Sequence, residues 1–230
     1  MRRFGGWGVM LACVLALPAA REAGAGVPTD QLKGGIDRVV KTIEDPALQG
    51  ESRAAERRRA VRKVANDIFD WGEIARRSLA RHWQPLTEPQ RAEFVALFAD
   101  LLERSYISKI ELYGGERIQF TGESLESEIA VVRSRLVTKQ GTEIPIDYRM
   151  LRKGEKWLVY DVVIEGVRLI ANYRTQFNKI ITTSSYQELV KKMKEKQQEA
   201  PEAVAKRKVV PVSTVGGEEA TPAAGRRQSP

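Results

Sequence analysis

This chain of 230 residues has one cysteine and one histidine. Cys13 lies inside the N-terminal apolar run, so a chain that loses that run can have no disulfide, thiolate ligand or cysteine nucleophile. A lipoprotein reading would need cleavage just before Cys13, but the apolar run continues through Val14–Leu17. His82, without cysteines, cannot build the usual zinc site, and its plain reading is a half-buried or surface histidine at a helix end. The sequence also lacks a G-x-S-x-G elbow, a G-x-x-x-x-G-K-[ST] phosphate loop and a G-x-G-x-x-G fingerprint. Their absence removes the familiar starting points for acyl transfer, nucleotide hydrolysis and dinucleotide chemistry. No later stretch reaches the roughly eighteen apolar residues of a spanning helix, and no internal repeat is evident.

What is present supports a packed core: 42% hydrophobic and 30% charged residues, with a formal charge of +8. That excess suggests nucleic acid, an anionic membrane surface or an acidic partner without choosing among them. Arginines cluster at 57–59 and 76–77 and lysines at 191–196, without interleaved aromatics. They read as solvated helix faces, which argues against nucleic acid. The N-terminus points the same way. Arg2 and Arg3 precede an apolar run from Trp7 to Leu17, then Pro18, small residues and the A-x-A site Ala23-Gly24-Ala25. These are the parts of a secretory signal peptide, residues 1–25. Its removal takes away three arginines and one glutamate, lowering the charge by 2 to +6.

Helical periodicity then marks 30–44 (Leu32, Ile36, Val39, Val40, Ile43), 51–69 and 71–82. "TEPQ" at 87–90 opens a longer helix, with Thr87 as N-cap and Gln90 closing a capping box, running toward Gly114-Gly115. After it the period becomes two, predicting four strands: around Ile118 and Phe120, 127–139, the "EIPIDYRML" stretch, and 157–164. Short turns favour an antiparallel meander, and helices before strands give an α+β domain over 26–197. At Gly166 the spacing turns helical again through Val167, Ile170, Ala171, Arg174 and Phe177, and a last helix follows over 185–197. Residues 198–230 have four prolines and no aromatic, the composition of a disordered tail.

Paired carboxylates could be drawn from Asp147, Asp161 and Glu165, but Asp147 sits on a polar strand face. Asp161 lies within an apolar strand and needs a partner. The expected partner is Arg174, in a structural ion pair rather than a catalytic one. The remaining candidates are apolar: Trp83, Phe94, Phe98, Tyr106, Tyr113, Tyr173 and Phe177 on helices, facing Ile144, Ile146, Tyr148 and Met150 on the sheet. An ordinary core accounts for most of these.

The stretch "KWLVYDVVIEGVRLIANYRTQFNKII" resembles the signature of the MlaC (toluene-tolerance) family of phospholipid-binding proteins. Trp157, Tyr160-Asp161-Val162, Glu165-Gly166-Val167 and Asn172-Tyr173-Arg174-Thr175-Gln176-Phe177 carry the likeness. "FDWGEIARRSLARHW" at 69–83 and "TEPQRAEFVALFADLLERSY" at 87–106 support it, and it covers about residues 30–195. Two departures stand out. Arg168 replaces a usual serine, and an arginine within "ARRSLARHW" stands where a small residue is common.

The resemblance implies a non-enzymatic periplasmic carrier with no cofactor and no metal, in which helices and sheet enclose an apolar slot. Phe94, Phe98, Leu101, Ile144, Ile146, Tyr148, Met150, Tyr160, Val162, Tyr173 and Phe177 are its expected walls; basic side chains at the rim, Arg168 a candidate among them, would steer it to anionic membrane surfaces, with headgroup contact by Arg168 left open. The implied partners are phospholipid, an inner-membrane ABC transporter with a lipid-binding substrate subunit and an outer-membrane lipoprotein complex, served by a monomer. A carrier of another lipid such as a hopanoid, a small-substrate α+β enzyme and a ligand-free adaptor are the alternatives.

Overall fold

The computed structural model describes residues 26–198, without the side chains of 108 and 109. The expected signal peptide (1–25) and all but the first residue of the expected tail lie outside the described residues. Helix α1 (Val27–Glu44) and helix α2 (Ala54–Ile68) pack so closely that a Cβ on Gly35 would meet Ile68 Cγ1 at 2.7 Å. Helix α3 (Trp71–Leu79) starts at Asp70, whose carboxylate accepts from the Glu73 N–H at 3.0 Å. Helix α4 (Glu88–Glu111) opens with the expected capping box: the Thr87 N–H donates to Gln90 Oε1 at 2.9 Å, and the Gln90 N–H reaches back to Thr87 Oγ1 at 3.5 Å.

Strands β1 (Arg117–Glu126), β2 (Ile129–Val137), β3 (Glu143–Lys153) and β4 (Lys156–Ile164) form an antiparallel meander. Its register puts Leu136 opposite Ile144, Ser134 opposite Ile146, Val132 opposite Tyr148 and Ala130 opposite Met150. One face therefore reads apolar across three strands, and its lower half closes on Leu32 of α1 and Ile68 of α2.

The sheet has a fifth strand, β5 (Val167–Arg168), which shifts the start of the next helix. Glu165 and Gly166 have φ of 50° and 82°, the paired positive values of a two-residue type I′ hairpin turn. The chain thus folds back onto β4, with Arg168 opposite Val163, before α5 (Leu169–Thr183) begins. Helix α6 (Tyr186–Gln198) completes a second helical group in which α3, α4, α5 and α6 share one core.

This hairpin also corrects the expected Asp161–Arg174 pair. Asp161 is 2% exposed. Its Oδ2 accepts from Arg168 Nε at 3.0 Å, with Nη2 also at 3.0 Å, and its Oδ1 accepts from the Ile170 N–H at 3.1 Å. The carboxylate satisfies an orphan donor in the first turn of α5 and places negative charge at the positive end of that helix. Arg174, one turn further along, is exposed and makes no ion pair with the described residues.

Helix α3 ends under strain. Ala80 has φ 48° and ψ −117°, a region otherwise left to glycine.

Asp161→Ala is expected to cost about 3 kcal/mol, since it removes charge-assisted bonds from a buried site. Arg174→Ala should stay within roughly 0.5 kcal/mol of the parent. Equal losses in urea denaturation would contradict this assignment. Ala80→Gly is expected to raise stability by about 1 kcal/mol, the relief of strain exceeding the entropy glycine adds to the unfolded chain. A lower denaturation midpoint for that variant would show that Ala80 is unstrained.

Candidate functional site

The eleven predicted wall residues separate into two sets. Phe94, Phe98 and Phe177 are buried and interlocked, with Phe94–Phe177 and Phe98–Phe177 centroids 5.7 and 5.0 Å apart in edge-to-face contact. Tyr160 is buried beneath the Arg77 guanidinium, 4.0 Å from its ring centroid. Met150 is 1% exposed and packed against the α1–α2 side. These five belong to closed cores, which corrects their expected place on an open wall: neighbouring rings and helices already fill the space beside them.

The other six, Leu101, Ile144, Ile146, Tyr148, Val162 and Tyr173, are half-buried. Ile144 and Ile146, with Leu136 and Ile164 beside them in register, pack against no buried cluster among the described residues. The upper half of the apolar face is therefore half-buried and joins no packed cluster among the described residues. Tyr148 stands at its border. Burial pushes its hydroxyl up to about 12, opposed by a hydrogen bond with Ser134. Tyr173 and Tyr106 on the facing helices are also raised, chiefly by burial, and Ser105 bonds Tyr173. These are hydroxyls in desolvated surroundings on side chains that keep some accessible surface. Tyr106, Ser134, Leu136 and Ile164 were not among the predicted wall residues; the strand register would have supplied the last three.

Helix α4 belongs to the helical core. Among the described residues it packs closely on α3 and α6 but not on any strand. Its C-terminal half is held to α2 instead. Glu111 accepts from Arg57 at 3.1 Å and from Arg58 at 3.0 Å, and Asp100 accepts from Arg62 at 3.2 Å, while Ile107 joins Ile43 and Val61. Arg62 also pairs with Glu103. Arg57 and Arg58, expected on a solvated face, are thus partly buried clasps.

Two clefts lie elsewhere. One of about 530 Å³ runs between α1, α2 and the start of β4, bordered by Gly35, Ile68 and Trp157. Another of about 340 Å³ lies between α3 and α5, bordered by Arg81, His82, Arg174 and Asn178. Among the described residues no group of acidic, histidine or cysteine side chains could hold a metal ion, and no helix is long and apolar enough to cross a membrane.

Fold and site together define an α+β protein in which part of an apolar sheet face stays outside the packed clusters of the described residues. The chain belongs to the MlaC protein family, which matches residues 33–195. The intermembrane phospholipid transport system binding protein MlaC of Haemophilus influenzae is 24% identical over 140 residues, 57% of this chain, and the chain spans 65% of that relative's length. A solved structure of a phospholipid-binding protein from Ralstonia solanacearum, in complex with a phospholipid, has a similar fold: the TM-score is 0.68 at 24% identity, covering 77% of this chain and 98% of that one.

The Tyr148 hydroxyl reports its burial to alkali. Its folded value lies above the ordinary tyrosine value of about 10, so the stability it contributes is complete below pH ~10 and lost as pH rises through about 12. Tyr148→Phe should flatten the fall in unfolding free energy across that window. An unchanged slope, with phenolate absorbance appearing near the ordinary value, would place the hydroxyl in water.

Proposed function

We propose that this chain is a non-enzymatic periplasmic phospholipid carrier. It would exchange lipid, as a monomer, between an outer-membrane lipoprotein complex and an inner-membrane ABC transporter with a lipid-binding substrate subunit. The observation that carries the reading is the half-buried, unpacked apolar face around Ile144 and Ile146. Family membership and the phospholipid binding named for both relatives support it.

The physical need is plain. Two acyl chains of about fifteen methylenes each, at ~0.8 kcal/mol per buried CH₂, cost on the order of 20 kcal/mol to expose to water. An apolar interior removes most of that barrier with no covalent step. Tyr148, Tyr173 and Tyr106 suit such a wall, since their rings are apolar while each hydroxyl can find a local partner. The headgroup stays at the mouth, because burying an unpaired phosphate is costly. Arg168 is an unsuitable headgroup ligand, since its guanidinium is engaged by Asp161.

Native mass spectrometry and solvent extraction of protein released from the periplasm should find phospholipid in stoichiometric amount. Ile146→Glu places a carboxylate against the chains at a position outside the packed clusters, so the variant should fold, by circular dichroism, and carry at least tenfold less lipid. Wild-type protein free of lipid would sink the carrier reading. A folded Ile146→Glu protein with full cargo would move the site to another face.

A further inference from the structure

The geometry points to a second ligand site, and we propose that the cleft between α3 and α5 binds a phosphate group. Of the eighteen arginines in the described residues, twelve are paired with a carboxylate. Even on the preceding turn of α3, Arg76 and Arg77 share Glu73. Arg81 and Arg174 break this pattern together. They line one cleft of about 340 Å³ with His82, and no carboxylate borders it.

A single neutral acceptor stands where an anion would be expected. Asn178 Oδ1 accepts from Arg81 Nη2 at 2.9 Å and contacts His82 Nε2 at 3.0 Å. Arg81 Nε lies 3.4 Å from His82 Nε2, so the two side chains crowd the same oxygen. Arg174 adds a third nitrogen-rich group and makes no hydrogen bond or ion pair with the described residues. Two uncompensated guanidinium groups in one concavity raise the local potential, and an anion relieves it. Guanidinium forks match phosphate oxygens in pairs, and a tetrahedral anion has enough acceptors to engage both arginines and the imidazole at once.

The backbone supports a dedicated arrangement. The strained Ala80 caps α3 and opens the short turn Ala80–His82, and its conformation turns Arg81 and His82 toward Asn178 of α5. The site is separate from the apolar interior. Tyr173 contacts the Phe98 ring on the inner side of α5, whereas the adjacent Arg174 borders the external cleft. An anionic lipid at a membrane surface and a free phosphate present the same oxygens to this cleft.

Calorimetric titration of the purified chain with inorganic phosphate, against acetate at equal ionic strength, tests this directly. Saturable phosphate binding is expected, weakened about tenfold or more in Arg174→Gln and in Arg81→Gln. Arg59→Gln, which removes one exposed charge on α2, should bind as the parent does. Flotation with phosphatidylglycerol vesicles separates the sources. Vesicle binding that falls in Arg81→Gln and Arg174→Gln and is competed by phosphate assigns the lipid headgroup, whereas phosphate binding with unaltered vesicle binding assigns a free phosphate. No saturable phosphate binding, equal binding by all variants, or equal uptake of acetate would overturn the proposal. Copurified lipid is measured on the same preparations, so failure of the cargo reading is scored separately.

Discussion

The buried carboxylate of Asp161 fixes the start of α5 against the sheet, and the rest of the second helical group is placed by that helix. The carboxylate sits on β4, bonds the side chain of β5 and accepts an N–H from the first turn of α5. A charge at this depth is tolerable only because both oxygens are satisfied. The type I′ turn at Glu165-Gly166 brings Arg168 within reach, and the direction of α5 follows from that turn. With α5 fixed, Tyr173 and Phe177 meet Phe98 at 5.1 and 5.0 Å, and α3, α4 and α6 assemble around them.

Two cores result rather than one. The helical core is closed by aromatic rings in edge-to-face contact, and the sheet core is closed by α1 and α2 against the lower half of the meander. Helix α4 belongs to the helical core and is also held to α2. Its attachment to α2 combines a small apolar contact at Ile107 with arginine–carboxylate pairs. The half-buried face around Ile144 and Ile146 lies outside both packed bodies among the described residues.

Local chemistry made much of this legible from sequence. The capping box at Thr87–Gln90 is read from four residues and depends on nothing distant. The period-two pattern of Ile144, Ile146, Tyr148 and Met150 placed those side chains on one face, as the register confirms. The hairpin was misread because Val167 also satisfies helical spacing to Ile170, so periodicity absorbed β5 into the helix. With it went the partner of Asp161: a helical Arg168 points away from the carboxylate, while a strand Arg168 lies beside it. Volume is the property periodicity does not encode. Phe98 and Tyr173 have the same helical warrant, yet one is sealed in a core and the other keeps open surface. Arg57 and Arg58 show the same limit for charge, since their partner Glu111 is more than fifty positions away.

The unpacked face around Ile144 and Ile146 has a thermodynamic corollary. A core left incomplete by its own chain is completed by whatever apolar molecule enters it, and that molecule then becomes part of the folded state's free energy. Occupancy and resistance to unfolding are one linked quantity in such a protein. On the carrier reading the empty form would be the less robust species, so proteolysis and heat would act first on molecules that had lost their filling, and the survivors of either treatment would be enriched in the loaded form.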